Sequence, residues 1–375
     1  IYGVPQGSVL GPLLFLLYVN DIMSSILGDD VKIVLYADDT NIFIVGNCKR
    51  ELVRRANQVL KCINDYMKSN FLHINIGKCC YIYFRSKNVH STESDEIETI
   101  DEEDIKICNN KIKEVDQTQF LGIIIDKHLS WQPHIERLHN KLKSSVGILR
   151  RIRSNIPDDC YKTLYYTLFE CHLTYCITAF GNTSKLYTER LFTIQKHCIR
   201  ILFGDLNAYL DKFMTCCRTR PVAEQKLGAN FYRKEHTKQL FDKMNILAFK
   251  NLYNYHLCLE TIKTLQSRTP YCLFSMYELS QRNNGNLLLS RRNDGSYLTN
   301  RVETWNCCMK LICKDMPIST IKIPKFKKEL KNILLKVQKF GDPVEWLNDL
   351  NFNLSTAQKN PSCISSSPKR LTNHA

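Results

Sequence analysis

Val31-Lys32-Ile33-Val34-Leu35-Tyr36-Ala37-Asp38-Asp39-Thr40-Asn41-Ile42-Phe43-Ile44-Val45 is the stretch on which the reading of this chain turns. Two short runs rich in β-branched and aromatic residues flank a pair of aspartates. That pattern predicts a β-hairpin with carboxylates at its tip. Carboxylate oxygens fixed at close range are what a hard divalent cation needs. Adjacent aspartates also occur as a plain polar turn, and the segment by itself allows both readings.

Upstream, Ile1-Tyr2-Gly3-Val4-Pro5-Gln6-Gly7-Ser8-Val9-Leu10-Gly11-Pro12-Leu13-Leu14-Phe15 is a Gly/Pro-punctuated loop leading into an apolar helix, expected to run to about Ile22. Ser8 suits its N-cap, and Gly11 and Pro12 suit its first turn. Pro5-Gln6-Gly7-Ser8 followed by Tyr36-Ala37-Asp38-Asp39, in this order and at this spacing, resembles the palm of reverse transcriptases. Gly11-Pro12 and Asn20-Asp21-Ile22 are similar to the non-LTR (LINE-type) retrotransposon branch, close to Jockey-like elements. Phe71-Leu72-His73-Ile74-Asn75-Ile76-Gly77-Lys78-Cys79 is similar to the motif that follows the metal hairpin and ends in a lysine. Cys79 stands where many relatives carry threonine. Phe120-Leu121-Gly122-Ile123-Ile124-Ile125-Asp126, with Leu129-Ser130-Trp131 and His134-Ile135, resembles the palm-to-thumb junction of the same elements. Arg301, Trp305-Asn306 and Phe326-Lys327-Lys328-Glu329-Leu330 resemble the region after the polymerase domain.

The resemblance implies an RNA-directed DNA polymerase using two Mg²⁺ ions, with an RNA template, a DNA primer or target and dNTPs as partners. Two-metal nucleotidyl transfer needs carboxylates that hold the ions about 3.5–4 Å apart. By resemblance Asp38 binds both ions and Asp39 supports the site. Side chains alternate along a strand, so neighbours point alike only if the turn twists them, which favours Asp38. Tyr36 is expected near the primer end, or else packs the hairpin. Gln6 and Gly7 are expected to line the pocket for the templating base and incoming nucleotide, with an ordinary turn as the alternative for Gly7. Lys78 is a general acid or charge partner for the leaving pyrophosphate, or a solvated loop lysine. The family's other catalytic aspartate lies upstream of the glutamine loop, on a strand this chain lacks, and Asp21, at a helix end, is no substitute. The chain is therefore expected to be a C-terminal fragment, inactive on its own. The competing reading is a catalytically dead remnant that only binds RNA or DNA.

Composition bounds the rest. The 375 residues carry 44% apolar residues and a formal charge of +15, which suits a globular protein with a polyanionic partner. Glu93 through Asp104 contains eight acids and no base, a self-repelling block that reads as a solvated loop. The 17 cysteines are odd in number and include no Cys-x-x-Cys, which argues for reduced thiols in nucleus and cytoplasm and against secretion. No apolar run is long enough to span a bilayer.

The expected fold class is α+β: a partial reverse-transcriptase palm of antiparallel sheet with helices, a helical thumb, then a mixed, mainly helical C-terminal region. The palm is assigned to 1–126 with an acidic loop at 88–104, the thumb to 127–210, the basic C-terminal region to 211–342 and a disordered tail to 343–375. Leu52, Ala56, Val59, Leu60, Ile63 and Met67 predict an amphipathic helix. Strands are expected at Ile105–Cys108, Lys111–Val115 and Phe120–Asp126. From Pro133 to about Asn155, Ile135, Leu138, Leu142, Val146 and Leu149 predict one buried face. Arg137, Lys141, Lys143, Arg150, Arg151 and Arg153 form a candidate nucleic-acid-binding surface around and beyond it. Further helices are expected from Asp158, from Leu186 to Phe203, from Phe241 to Leu259 and from Phe326 to Val337. Oligomeric state is left open.

Overall fold

The computed structural model describes residues 7–25, 28, 30–85, 104–204, 237–270, 274, 278–279, 287–288, 305–306 and 321–340. Gln6, Arg301, the tail from 343 and the acidic block apart from Asp104 lie outside the described residues. The described elements are mostly helices, with small two-stranded sheets, an α+β composition. The chain divides into two compact units, Ile1–Ser130 and Trp131–Ala375.

In the first unit, Ser8 Oγ accepts the Gly11 N–H at 3.1 Å and opens helix α1, Gly11–Val19, with Pro12 in its first turn. The α-helix stops at Val19, short of the expected Ile22, and tightens into a 3₁₀ turn over Asn20–Ser25. Asn20 and Asp21 are weak helix formers, and Tyr66 ties the turn down by donating its hydroxyl to Asp21 Oδ1. Strands β1 (Val31–Tyr36) and β2 (Asp39–Ile44) form the hairpin, in register from Val31↔Ile44 to Tyr36↔Asp39. Val31, Ile33, Leu35, Ile42 and Ile44 alternate onto one face and pack with Ile22 and with Val59 and Ile63 of α2, Lys49–Ser69. Arg55 of α2 grips Asp30 with both guanidinium arms, Nε to Oδ2 at 2.6 Å and Nη2 to Oδ1 at 2.9 Å, at the entry to β1.

The chain then builds short pieces. β3 (Cys80–Tyr81) pairs with β6 (Lys113–Glu114), β4 (Lys106–Ile107) with β5 (Asn110–Lys111), and β7 (Gln117–Phe120) with β8 (Ile123–Asp126). The β3–β6 pair is parallel, so the sheets are not uniformly antiparallel as expected. Phe120–Asp126, read as one strand, is instead a hairpin corner. Leu121 and Gly122 both adopt positive φ, +44 and +86, which reverses the chain between β7 and β8. On α2, the Asn57 side chain accepts the Lys106 N–H at 2.9 Å and donates to the Asp104 carbonyl at 3.1 Å, so Ile105 and Ile107 seat beside Ala56.

In the second unit, α3 (Gln132–Ile152) buries Ile135, Leu138, Leu142, Val146 and Leu149, the periodic set expected from sequence. A helical rod, α4, follows: Tyr161–Leu164, a π-helical turn Tyr165–Glu170, and Cys171–Thr174. After the short α5 (Ile177–Phe180) comes α6, Lys185–Phe203, which ends at Gly204. The helix expected over Phe241–Leu259 is broken. Helix α7 spans 237–244, Asn245 turns through φ +53, and α8 runs over Phe249–Ser267. Gln338 of α9 (Ile323–Phe340) satisfies the opened backbone, accepting the Ala248 N–H at 2.9 Å and donating to the Ile246 carbonyl at 3.0 Å. One hydrophobic core joins α3, α4, α6, α8 and α9, so the described parts of the two helical regions assigned to 127–210 and 211–342 share a single core.

Candidate active site

The hairpin tip collects three of the residues singled out from the sequence. Tyr36 and Asp39 are cross-strand partners, which places them on the same face of the pair. Ala37 and Asp38 make the turn between them, and Ala37 sits at φ +51, a conformation that costs a non-glycine residue free energy. The outer face beneath the tip carries Val34 and Phe43, each 47% exposed, and Tyr36, 60% exposed. The inner face is packed against α2, so the carboxylates project from a rigid base.

Asp38 and Asp39 are exposed, and neither has an ion-pair or hydrogen-bond partner among the described residues. Hard, uncompensated carboxylate oxygens are the donor set that Mg²⁺ takes. The pair offers two carboxylate groups side by side. Among the described residues no group of three or more His, Cys, Asp or Glu side chains gathers where it could hold a metal ion. Asp21 is held by Tyr66, in the 3₁₀ turn that follows α1.

Gly7 is exposed with φ +85, in open space where a β-carbon would meet nothing, so its backbone is accessible to a ligand. Lys78 closes a 3₁₀ turn, Ile76–Lys78, and is exposed. Its neighbours Ile76 and Cys79 pack against the small core of Ala56, Ile105, Ile107 and Ile112, as does Ile44 at the opposite end of β2 from Asp39, and no ion pair links Lys78 to the aspartates among the described residues. Burial, then the charge of Cys80, raises the pKa of the Cys79 thiol.

The basic helix of the second unit divides. Arg137, Lys141, Lys143, Arg150 and Arg151 are exposed along α3. Arg153 is different: its Nη2 donates to the Gly204 carbonyl at 2.7 Å, and its guanidinium lies 5.8 Å from the Tyr161 ring centroid, tying the end of α3 to the end of α6. Arg150 also lies 3.0 Å from His197 Nε2.

Two residues that the sequence reading assigned no role turn out to organise structure. Asp126 is buried and accepts the N–H groups of His128 at 3.3 Å and Ser130 at 3.1 Å, so it shapes the turn that carries Leu129-Ser130. Its position two and four residues ahead of those donors is the local side-chain-to-backbone signal that identifies it. Glu170 of α4 is described below. The ten cysteines among the described residues are free thiols, and no described helix is long and apolar enough to cross a membrane.

The hairpin thus carries two exposed carboxylates at its tip on a helix-backed base. Residues 2–125 match the family model of reverse transcriptase (RNA-dependent DNA polymerase). The chain is 23% identical over 210 residues to an RNA-directed DNA polymerase from mobile element jockey of Drosophila funebris, covering 54% of this chain and 22% of that protein. It is 27% identical over 209 residues to a probable RNA-directed DNA polymerase from transposon BS of Drosophila melanogaster, covering 53% and 22%. A Pol polyprotein from the type-1 retrotransposable element R1 of Nasonia vitripennis is 27% identical over 154 residues, covering 40% and 43%. No solved structure matches the chain significantly. The first part of this chain is thus similar to the reverse transcriptase domain of Jockey-like, non-LTR retrotransposons. The match spans about a fifth of the length of the jockey and BS proteins.

Proposed function

We propose that this chain is part of an RNA-directed DNA polymerase that copies retrotransposon RNA from a primed DNA target. The observation that carries the reading is the Tyr36–Asp39 hairpin, with both carboxylates at its tip exposed and without a side-chain partner among the described residues. Asp38 and Asp39 would hold Mg²⁺, which when bound supplies charge neutralisation of the triphosphate and a lowered pKa for the primer hydroxyl. Tyr36, beside Asp39 on the outer face, supports the primer end, and Gln6 and Gly7 border the nucleotide. Lys78 acts on the leaving pyrophosphate once the loop carrying it moves toward the tip. The first unit is the palm, and α3, α4 and α6 are the thumb.

Two features support a larger enzyme. The tip offers only two carboxylates, so a further one must come from a separate strand. Helix α1 exposes Leu13, Leu14, Leu16 and Leu17 together, an apolar surface that belongs against more protein. The second reading, a nucleic-acid-binding module without chemistry, is favoured by the exposed bases of α3, which need no metal. Primer extension on an RNA template with Mg²⁺, omitting one dNTP at a time, separates the two. The polymerase containing this chain should stall opposite each missing nucleotide, and the binding module should give no extension.

A further inference from the structure

The second unit holds a cavity of about 250 Å³ that the polymerase reading does not use. Glu170 and Tyr166 of α4, Tyr255 and His256 of α8, and Lys331 of α9 line it, with Leu247 below. The carboxylate is built into place. Gln195, fully buried on α6, donates from Nε2 to the Tyr165 hydroxyl at 2.9 Å and to the Leu247 carbonyl at 2.9 Å. That uses both amide protons and leaves Tyr165 with a single proton to give. Tyr165, itself fully buried, lies beside Glu170 and lowers the pKa of its carboxyl. The π-helical turn between these two residues is a distortion commonly found at functional sites.

Burial raises Glu170 to about 7, while the Tyr165 hydrogen bond and then the Lys331 charge draw it back. The Lys331 ammonium lies 5.8 Å from the Tyr166 ring centroid, and no ion pair joins it to Glu170 among the described residues. A carboxylate and an ammonium therefore face one cavity without a direct ion pair among the described residues. A simple cation would be repelled by Lys331, and a simple anion by Glu170.

A planar group with two adjacent N–H donors and a carbonyl acceptor satisfies both. Guanine presents N1–H, N2–H and O6 along one edge. Adenine offers an acceptor where the carboxylate needs a donor, and uracil a single N–H between two carbonyls. The tyrosines add flat faces on which a base can stack. The volume lies below the roughly 300 Å³ at which pockets for drug-sized ligands begin, which suits a single ring system. We propose that this cavity captures one unstacked guanine of an RNA strand, with Glu170 accepting from N1–H and N2–H and Lys331 donating to O6. The proposal rests on the reading of the chain as a nucleic-acid protein.

The test is fluorescence anisotropy of the whole chain at pH 8 with labelled oligouridine carrying one central guanosine, inosine or adenosine. Inosine lacks only the N2 amino group. The guanosine strand should bind about tenfold more tightly than either of the others. Glu170→Gln should remove that preference and leave adenosine-strand affinity unchanged, with circular dichroism as the folding control. Equal affinity of the unaltered chain for all three strands overturns the pocket and leaves the nucleic-acid reading standing. Binding of none of them overturns that reading, and the pocket with it.

Discussion

Asp39 pairs with Tyr36 across the first hairpin, so Ala37 and Asp38 alone turn the chain. The turn holds Ala37 at φ +51. A left-handed conformation costs an L-residue about 1–2 kcal/mol, and replacing alanine by glycine costs about 0.5–1 kcal/mol in chain entropy. Ala37→Gly should therefore be neutral to slightly stabilising. Ala37→Val should lower the unfolding midpoint clearly, because a β-branched residue fits this region worst. Thermal unfolding followed by circular dichroism checks both. A more stable valine variant would mean the turn is not shaped as described.

Glu170 gives a pH signature. Its folded pKa of about 7 lies above the ordinary 4.5 because the side chain is buried, with Tyr165 and Lys331 opposing. The folded chain thus holds a proton that the unfolded chain releases, so this contribution to stability is full below about pH 4.5 and lost as pH rises through 7. The other titratable groups facing the cavity are Lys331, Tyr166, Tyr255 and His256. Burial pushes His256 down, an effect that works in the opposite direction below its ordinary pKa. Comparing Glu170→Gln with the unaltered chain isolates the glutamate. The variant's midpoint should gain on the parent from pH 5 to pH 8, and a constant gap would contradict the assignment.

The exposed face of α3 makes a salt prediction. Arg137, Lys141 and Lys143 are exposed, and the buried face beneath them is fixed by Ile135, Leu138 and Leu142. Each phosphate neutralised contributes about 0.9 to the slope of log affinity against log salt on duplex. Changing the three to alanine should weaken binding of an RNA–DNA hybrid across sequences and flatten that slope by roughly two to three units. Anisotropy over a salt series reads it. An unchanged slope in a folded variant would leave these side chains a solvated face.

Lys78 sits on a short turn whose flanks pack away from the tip. In the polymerase, Lys78→Ala should slow RNA-templated extension by about 10²-fold, within the range of general acid help. The loss should be smaller than that of Asp38→Asn. An unchanged single-turnover rate would leave Lys78 a loop residue.

What could be read in the sequence follows from what is local. The hairpin was legible because alternation and a two-residue turn are encoded within fifteen residues, and α3 because five apolar positions repeat at helical spacing. The corner at Leu121-Gly122 was missed because isoleucines on either side make one apolar run, and only backbone φ reveals the reversal. The break before α8 was missed for a different reason. Its backbone groups are satisfied by Gln338, about ninety residues downstream, and nothing in the local sequence announces that partner. The same holds for the Gln195–Tyr165 hydrogen bond, which joins two helices thirty residues apart in the chain. Arg153 looked like one more surface base because spacing does not tell which long side chain folds back onto a carbonyl.

Nucleotidyl transfer as proposed depends on the hairpin carboxylates. The most direct measurement is RNA-templated primer extension with Mg²⁺ by the polymerase that contains this chain, unaltered and as Asp38→Asn, at matched protein concentration and fold. The account predicts extension by the unaltered enzyme and loss of nearly all of it in Asp38→Asn, with RNA–DNA binding retained. Equal extension by the two proteins would contradict it.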